Sequence, residues 1–363
     1  MARNRKNADG SKYYKKIRRD NQSVPDSLLK LLIKQKYHLA GQHSAAKLCH
    51  WSDSVLKGGE SCYKNKFYGI ASHRCLQCTP VLLFCNHACV FCWRIMPERN
   101  LYGGFGGSRT NGGAAPLGVA DDMPCKKFEW DEPEKIAGWL VKAQHDIISG
   151  YGGNALVKKE LYAEAMSPMH VALSLTGEPT MYPHLERLLQ EFHTRGMTTF
   201  LVTNGTFPER AERWKTYPTQ FYVSMVAPNE EVYKKAIRPA SPGLWKKYLK
   251  MLELMPEIGE KTRTVLRMTL ARGVNDSDLE GYAAQIRLAK PHYIEVKSMV
   301  YVGGARQPER KLSLGSMLSM GEIEKLAEKL AEMTGYRLSE QHVPSRVVLL
   351  SRDAEAERNR ILD

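Results

Sequence analysis

The sequence predicts an α/β protein organised as an incomplete (β/α)6 barrel with extensions at both ends. Short apolar runs alternate with longer helical patterns from about residue 79 to about residue 302. This alternation indicates parallel strands joined by helices. Six strand–helix units can be counted there, fewer than the eight of a complete barrel. The 363 residues, 43% of them hydrophobic, are enough for a barrel core with extensions.

The predicted barrel strands are apolar runs bounded by turn residues. They occupy residues 79–85, 170–175, 198–204, 220–226, 264–271 and 293–302. Between them, segments such as 183–196 and 278–290 have helical apolar spacing. The predicted division of the chain is a basic mobile arm (1–25), a helical and cysteine-rich extension (26–75), the barrel (76–302) and a C-terminal extension (303–363).

Local patterns predict the segments outside the strands. Leucines at helical intervals predict that residues 26–47 are helical. The C-terminal extension contains an amphipathic helical pattern at 320–336 and a strand pattern at 346–351. Residues 101–123 are rich in glycine and lack periodicity, so we expect a long loop. No Gly-Lys-Ser/Thr sequence follows in that loop, which argues against a phosphate-binding role.

Composition narrows the possible functions. The net charge is +14, from 53 Lys and Arg against 39 Asp and Glu. This excess favours a polyanionic partner, with nucleic acid as the leading candidate, and a basic surface without a partner is the alternative. No apolar run approaches the roughly 18 residues of a membrane span, and the N-terminal residues lack the apolar core of a secretory signal. We therefore expect a cytoplasmic protein.

All eight cysteines lie in the first 125 residues. In a long intracellular chain such crowding indicates metal or cluster ligation rather than disulfides. Cys85, Cys89 and Cys92 have the spacing C-x3-C-x2-C. A structural zinc site normally closes with four protein ligands, whereas three cysteines can hold a 4Fe–4S cluster and leave one iron open. Zinc remains the alternative.

The C-x3-C-x2-C motif, with aromatic Phe91 before its last cysteine, resembles the signature of the radical S-adenosylmethionine (SAM) superfamily. The resemblance implies that SAM chelates the open iron and is cleaved to a 5′-deoxyadenosyl radical. It also implies that the Thr-Gly-Glu-Pro sequence at 176–179 contacts the methionine moiety. Polar residues at later strand ends are candidate ribose, carboxylate or adenine contacts. The predicted SAM contacts are Phe91, Thr176, Gly177, Glu178, Asn204, Ser224, Lys297 and Met299.

Three further cysteines, Cys49, Cys62 and Cys75, lie upstream at equal intervals of 13 residues. Three thiolates again suggest a 4Fe–4S cluster with one exposed iron. Cys75 with Cys78 could instead form half of a zinc site. Cys125 has no assigned role.

The double three-cysteine pattern resembles the radical SAM tRNA 4-demethylwyosine synthases of wyosine and wybutosine biosynthesis. The sequences "CYKNKFYGI", "FCNHACVFCWR", "WDEP" and "SLTGEPTMYP" carry this resemblance, which extends from about residue 45 to about residue 350. Eukaryotic members have a flavodoxin-like domain before this region. The chain therefore resembles the short archaeal form, which implies a separate electron donor such as flavodoxin or ferredoxin.

The resemblance implies a lyase that condenses the N-methyl carbon of N1-methylguanosine, beside the anticodon of phenylalanine tRNA, with two carbons of pyruvate. The base must leave its stack to reach a barrel mouth, and we expect the enzyme to act as a monomer. Two alternatives are a radical SAM methyl- or methylthiotransferase acting on RNA, and a zinc-dependent RNA-binding module.

Two groups of basic residues complete the predicted site. Lys64 and Lys66 follow Cys62 and are candidates for a Schiff base with pyruvate, on the expectation that their segment is extended. In a competing arrangement, the open iron of the second cluster chelates pyruvate. In a third, both lysines only balance the charge of the cluster. The other group comprises the basic arm and the segment 232–250, with Lys234, Lys235 and Arg238, which are candidate phosphate contacts.

Overall fold

The computed structural model describes residues 26–82, 84–94 and 129–362. The basic arm (1–25), the glycine-rich segment (101–123) and Cys125 lie outside the described residues, so the predictions made for them stay predictions. Within the described part of the chain, no helix is long and apolar enough to cross a membrane.

One ten-stranded sheet organises the molecule, and its strands follow the order β1-β2-β3-β4-β5-β6-β7-β8-β10-β9. β3 to β8 are parallel, and the strands at either end pair antiparallel. The sheet does not close, which confirms the predicted incomplete six-stranded barrel. The strands are β1 His38–Ala40, β2 Ser44–Ala46, β3 Cys75–Thr79, β4 His170–Leu173, β5 Thr198–Thr203, β6 Gln220–Met225, β7 Arg263–Leu270, β8 Tyr293–Ser298, β9 Arg337–His342 and β10 Val347–Ser351.

Helices join the parallel strands and cover the outside of the sheet, where Leu188, Leu201 and Leu252 belong to one large apolar core. The helices are α1 Asp26–Lys34, α2 His50–Leu56, α3 Tyr63–Tyr68, α4 Pro133–Ser149, α5 Lys159–Ala165, α6 Leu185–Thr194, α7 Pro208–Ala211, α8 Glu230–Ile237, α9 Leu244–Gly259, α10 Leu279–Ala289, α11 Met320–Thr334 and α12 Ala354–Arg358.

Two local predictions were wrong. The helix predicted for 26–47 ends at Lys34, and the chain continues into the antiparallel hairpin β1–β2. Lys36 and Gly41 have left-handed φ angles of 62° and 72°, which interrupt a right-handed helix. The first barrel strand is β3 rather than 79–85, because Pro80 directly after it has no N–H for a central strand.

Helix α3 fills the barrel at the N-terminal halves of β5 to β8. Its buried residues, Tyr63, Lys64, Phe67 and Tyr68, share one face, since positions one, four and five apart cluster on a helix. Phe67 and Tyr68 pack with Phe200, Tyr222, Val265 and Tyr293 inside the barrel. The segment is therefore helical, and the expectation of an extended segment was wrong.

The C-terminal end of α3 is held by the end of the described chain. The guanidinium of Arg360 donates to the carbonyls of Lys66 at 2.6 Å and Phe67 at 3.0 Å. The backbone N–H of Leu362 donates to the carbonyl of Tyr68 at 3.0 Å. These donors satisfy carbonyls that a helix end otherwise leaves open, so α3 is fixed at its last turn.

Candidate active site

A cavity of about 1450 Å³ opens at the carboxyl edge of the parallel strands and extends down to α3. Barrel enzymes place their chemistry at this edge. The volume exceeds the roughly 300–1,000 Å³ of a typical small-molecule pocket, so it can admit two ligands together. Both cysteine triads line it. So do all the predicted SAM contacts, namely Phe91, Thr176, Gly177, Glu178, Asn204, Ser224, Lys297 and Met299.

Cys85, Cys89 and Cys92 lie on an irregular loop that other segments hold through its backbone. The N–H groups of Ala88 and Val90 donate to carbonyls at the end of α8, at 2.9 and 2.8 Å. Arg310 donates through Nη1 to the carbonyls of Cys89 and Cys92, the latter at 3.3 Å. Because these contacts use backbone atoms, the three partly exposed thiols stay directed to the cavity.

Burial raises the pKa of Cys85 and Cys89, and neighbouring thiols of the triad add to the rise. A cationic cluster core would offset the charge of such thiolates. Among the described residues, no three His, Cys, Asp or Glu side chains converge closely enough to hold one metal ion. In a cluster of four irons each thiolate binds a separate iron, so such a cluster does not require the three thiols to converge on one metal ion.

The Thr-Gly-Glu turn after β4 is fastened directly to the cysteine loop. Gly177 has a φ of 75°, and a Cβ there would lie 1.8 Å from the carbonyl oxygen of Val81. The N–H of Glu178 donates to the carbonyl of Phe84 at 2.8 Å, and the hydroxyl of Thr79 donates to the carbonyl of Thr176 at 2.6 Å. Only glycine permits this close approach.

The Glu178 carboxylate is 2% exposed and lies within a set of donors. Its Oε1 accepts from the Thr180 hydroxyl at 2.5 Å and the Thr203 hydroxyl at 2.6 Å. Its Oε2 accepts from the backbone N–H of Asn204 at 2.7 Å. Burial raises the pKa of Glu178, although these donors oppose the rise. Glu178 lines the cavity, and Oε2, with one described donor, keeps acceptor capacity that suits a ligand ammonium group.

The other predicted SAM contacts differ in how they are held. The Asn204 amide donates to Asn86 and accepts from Thr206, both at 2.7 Å, so it also braces the loop after Cys85. Met299 packs with Phe91 in a small apolar cluster beside the cysteine loop. The charge of Lys297, in contrast, interacts with Arg267, Glu295 and Cys62, which places it on the side of the upstream triad.

Three separate elements supply the upstream triad. Cys49 and Cys62 are the residues that precede α2 and α3, and Cys75 begins β3. The thiol of Cys62 interacts electrostatically with both Cys49 and Cys75. Burial raises the pKa of Cys62 and of Cys75 to about 12. The structure thus brings together three cysteines that are 13 residues apart in sequence.

Cys78 does not face the cavity with Cys75. It is fully buried in the outer core, because residues three apart on a strand point to opposite faces. The alternative of a zinc half-site from Cys75 and Cys78 therefore has no support in the geometry.

Lys64 and Lys66 point in opposite directions, since two residues on a helix are separated by about 200°. Lys64 is 8% exposed and lines the cavity, with Nζ 4.8 Å from the ring centroid of Phe200. Burial, with the nearby charge of Arg267, lowers the pKa of Lys64. The Lys66 side chain is 49% exposed and pairs with Glu340 at 2.8 Å. It lies outside the cavity lining.

Sequence reasoning missed two charged groups in this cavity. The buried pair Arg267–Glu295 joins β7 to β8 at 2.8 Å, and its Arg267 lines the cavity. Arg94 follows the cysteine loop and interacts electrostatically with both Cys92 and Cys49. Charged residues inside the apolar runs "TVLRMTLA" and "YIEVKSM" were the available signal for the first pair, because a charge on an inward strand position needs a reason.

The candidate phosphate contacts on α8 lie on the outside of the barrel. Lys234 and Lys235 pair with Glu230 and Glu231 one turn earlier, at 2.8 and 2.5 Å. Arg238 ends the helix in a left-handed conformation with a φ of 50°. Their role in phosphate binding stays a prediction.

Comparison with known proteins agrees with this geometry. Residues 79–286 match the radical SAM superfamily, and residues 288–352 match the wyosine base formation family. The chain is 42% identical over 337 residues to a SAM-dependent tRNA 4-demethylwyosine synthase of Pyrococcus abyssi, covering 92% of this chain and 91% of that protein. It is 37% identical over 331 residues to the corresponding enzyme of Methanocaldococcus jannaschii, covering 91% and 97%.

Two solved structures are similar along nearly their whole length. One is of TYW1 with a lysine–pyruvate adduct bound, at 35% identity and a TM-score of 0.76, covering 93% of this chain and 98% of that one. The other is an archaeal TYW1, at 33% identity and a TM-score of 0.70, covering 93% and 100%. The chain belongs to the family of radical SAM tRNA 4-demethylwyosine synthases.

Proposed function

We propose that this protein forms 4-demethylwyosine in tRNA by condensing N1-methylguanosine beside the anticodon of phenylalanine tRNA with pyruvate. The observation that carries the proposal is that one cavity is lined by two cysteine triads and by a buried lysine. The transfer of a methyl or methylthio group to RNA gives no role to a buried lysine in this cavity. The separation of Cys75 from Cys78 gives no support to a zinc-dependent binding module.

Family membership implies SAM and a 4Fe–4S cluster. Cys85, Cys89 and Cys92 would hold the cluster, and Glu178 would accept from the SAM ammonium. When bound, these groups would supply the radical chemistry needed at the N-methyl carbon, whose C–H bond is too strong for acid–base removal. The chain's own part is to hold the thiols by backbone contacts and to keep water from the reacting atoms.

We further propose a second 4Fe–4S cluster on Cys49, Cys62 and Cys75. Their convergence from three elements on one cavity supports it. Such a cluster would lie beside Lys64, because Cys62 and Cys75 both interact with the charge of that lysine.

Lys64 is the proposed nucleophile toward pyruvate. The neutral amine attacks the keto carbon, water leaves, and a Schiff base forms, which makes the bond between the keto and carboxyl carbons easier to break. Burial already favours the neutral amine. A related protein has been solved with a lysine–pyruvate adduct, which supports this assignment.

The tRNA would approach the open end of the cavity. Trp93 is 42% exposed there and stacks on the Arg94 guanidinium, whose central carbon lies 3.6 Å from the ring centroid. Such a surface suits a nucleobase that has left its stack. We also propose that the enzyme is monomeric and takes its electron from a separate flavodoxin or ferredoxin.

The lysine pair offers a matched test. The enzyme with both clusters is mixed with labelled pyruvate and borohydride, and the labelled residue is located by peptide mass analysis. We expect label on Lys64 in the wild type and in Lys66→Met, and no label or tricyclic base in Lys64→Met. Product formation by Lys64→Met without trapped label would overturn the Schiff base and favour iron chelation of pyruvate.

A further inference from the structure

Three basic side chains meet at the floor of the cavity. Lys64, Arg267 and Lys297 all line it, and Arg267 interacts electrostatically with both lysines. Lys64 Nζ and Arg267 Cζ lie 5.1 and 4.5 Å from the ring centroid of Tyr222. Like charges gathered in a water-poor site repel one another, so this arrangement needs an anion.

Glu295 meets only part of that need. Its Oε2 accepts from Arg267 Nε at 2.8 Å and from the Tyr63 hydroxyl at 3.0 Å, and its Oε1 accepts from the Tyr68 hydroxyl at 2.9 Å. This carboxylate is fully buried and is used to hold Arg267. Even with Lys64 as the neutral amine, Glu295 supplies one negative charge against the two cations Arg267 and Lys297.

Hydrogen bonds fix the Arg267 guanidinium, but they do not use all of its donors. Its Nε donates to Glu295, and its Nη2 donates to the Tyr63 hydroxyl at 2.8 Å. No described hydrogen bond uses Nη1, and the side chain borders the cavity. A guanidinium held along one edge can present its remaining donors to a ligand carboxylate in a fixed direction.

The sheet register places Lys297 beside Arg267. In the parallel pair β7–β8, Arg267 lies opposite Glu295, and Thr269 lies opposite Lys297. Glu295 and Lys297 are two apart on β8 and therefore share the inward face. No described hydrogen bond or ion pair uses the Lys297 ammonium. Groups on neighbouring strands are positioned more precisely than groups on loops.

We infer that Arg267 and Lys297 form a carboxylate subsite beside Lys64, so that this floor selects 2-oxo acids over neutral carbonyl compounds. The inference rests on the proposed role of Lys64 and deepens it. In a 2-oxo acid the carboxylate is bonded to the keto carbon. A molecule that presents its keto carbon to Lys64 therefore presents a negative charge to the neighbouring cations, and a simple ketone cannot.

Oxamate binding tests the subsite without Schiff base chemistry, because this analogue of pyruvate has an amide in place of the ketone. Its affinity for the enzyme with both clusters is measured by calorimetry. We expect Arg267→Lys and Lys297→Met each to weaken oxamate binding roughly tenfold or more, because a charge-assisted bond is lost. The controls Arg263→Lys, four residues earlier on β7, and Lys66→Met are expected to bind as the wild type does.

Unchanged oxamate affinity in both Arg267→Lys and Lys297→Met would overturn the inference. So would loss of oxamate binding only when Cys49, Cys62 and Cys75 are replaced, since the carboxylate would then sit on the second cluster. Lys297→Met removes no described hydrogen bond, so its result does not depend on how well the Arg267 variant folds.

Borohydride trapping separates this inference from the proposed function. Pyruvate and acetone differ in the carboxylate, and we expect Lys297→Met to lower trapping of pyruvate but not of acetone. Equal loss with both compounds would mean that Lys297 serves the amine chemistry and not the carboxylate. If the wild type traps neither compound, the role of Lys64 fails, and the oxamate affinities still decide the subsite.

Discussion

The two cysteine triads line the same cavity but are built in different ways. Cys85, Cys89 and Cys92 lie within eight residues on one irregular loop, which α8, Arg310 and the turn at Gly177 hold by its backbone. Cys49, Cys62 and Cys75 come from three elements, two helix starts and a strand. The first triad is defined by local sequence, whereas the second depends on the folded barrel. The difference predicts how each responds to perturbation.

Removal of each triad should give the largest effects. We expect the triple replacement of Cys85, Cys89 and Cys92 by Ala to abolish SAM cleavage and to leave about half of the iron. The triple replacement of Cys49, Cys62 and Cys75 should keep SAM cleavage but give no tricyclic base. Iron and sulfide content and 5′-deoxyadenosine release are the measurements. Wild-type iron sufficient for only one cluster, or zinc at the upstream triad, would contradict the assignment.

Gly177→Ala tests how strongly the first triad depends on the Thr-Gly-Glu turn after β4. The new Cβ would collide with the carbonyl of Val81, so we expect a loss of about 3 kcal/mol or more in the free energy of unfolding, with weakened SAM binding. Gly273→Ala is the control, because its φ of 71° is similar but nothing lies within 4 Å of its Cβ. It should lose only about 1–2 kcal/mol. If urea denaturation gave the two variants equal losses of unfolding free energy, the close approach of residue 177 to Val81 would not be the cause of the loss.

Arg310→Ala should loosen the first triad alone. Its charge-assisted bonds to the loop carbonyls are worth about 1.5–3 kcal/mol in favourable cases. We therefore expect a chelator to strip the first cluster faster and the upstream cluster at an unchanged rate. Arg306→Ala is the matched control, since the described bond of that exposed side chain reaches only the Tyr301 carbonyl. Equal acceleration at both clusters would indicate general destabilisation.

The smallest effect concerns the outer face of α8, whose inner side supports the first triad. Lys234 and Lys235 are already paired with glutamates, so their reversal to Glu should weaken tRNA binding modestly. The slope of log K against log salt is negative, and its magnitude should decrease by about 0.7–0.9 for each phosphate that is no longer neutralised. Reversal of Lys325 and Lys329 on α11 is the control. An unchanged slope would show that the α8 lysines do not bind phosphate.

Five of the six parallel strands were predicted close to their positions, and both cysteine triads were recognised, because apolar runs and cysteine spacing are local signals. The sequence did not predict that the chain leaves α1 for a hairpin at Lys36, because a lysine with a left-handed φ angle cannot be recognised from the sequence. It also treated Lys64 and Lys66 as equivalent. Their difference arises because α3 forms inside the barrel, where tertiary packing decides the conformation of a short segment. Arg267 and Glu295 were missed because their pairing joins separate strands.

The contacts at the end of α3 also bear on how the enzyme is assembled in the cell. Cys62 begins this helix, yet the last turn is closed by Arg360 and Leu362, nearly three hundred residues later. The upstream cysteines therefore emerge from the ribosome long before their framework exists. Iron and sulfide delivered during synthesis would meet unorganised thiols, so a cluster on this triad would be expected to form only after release of the chain.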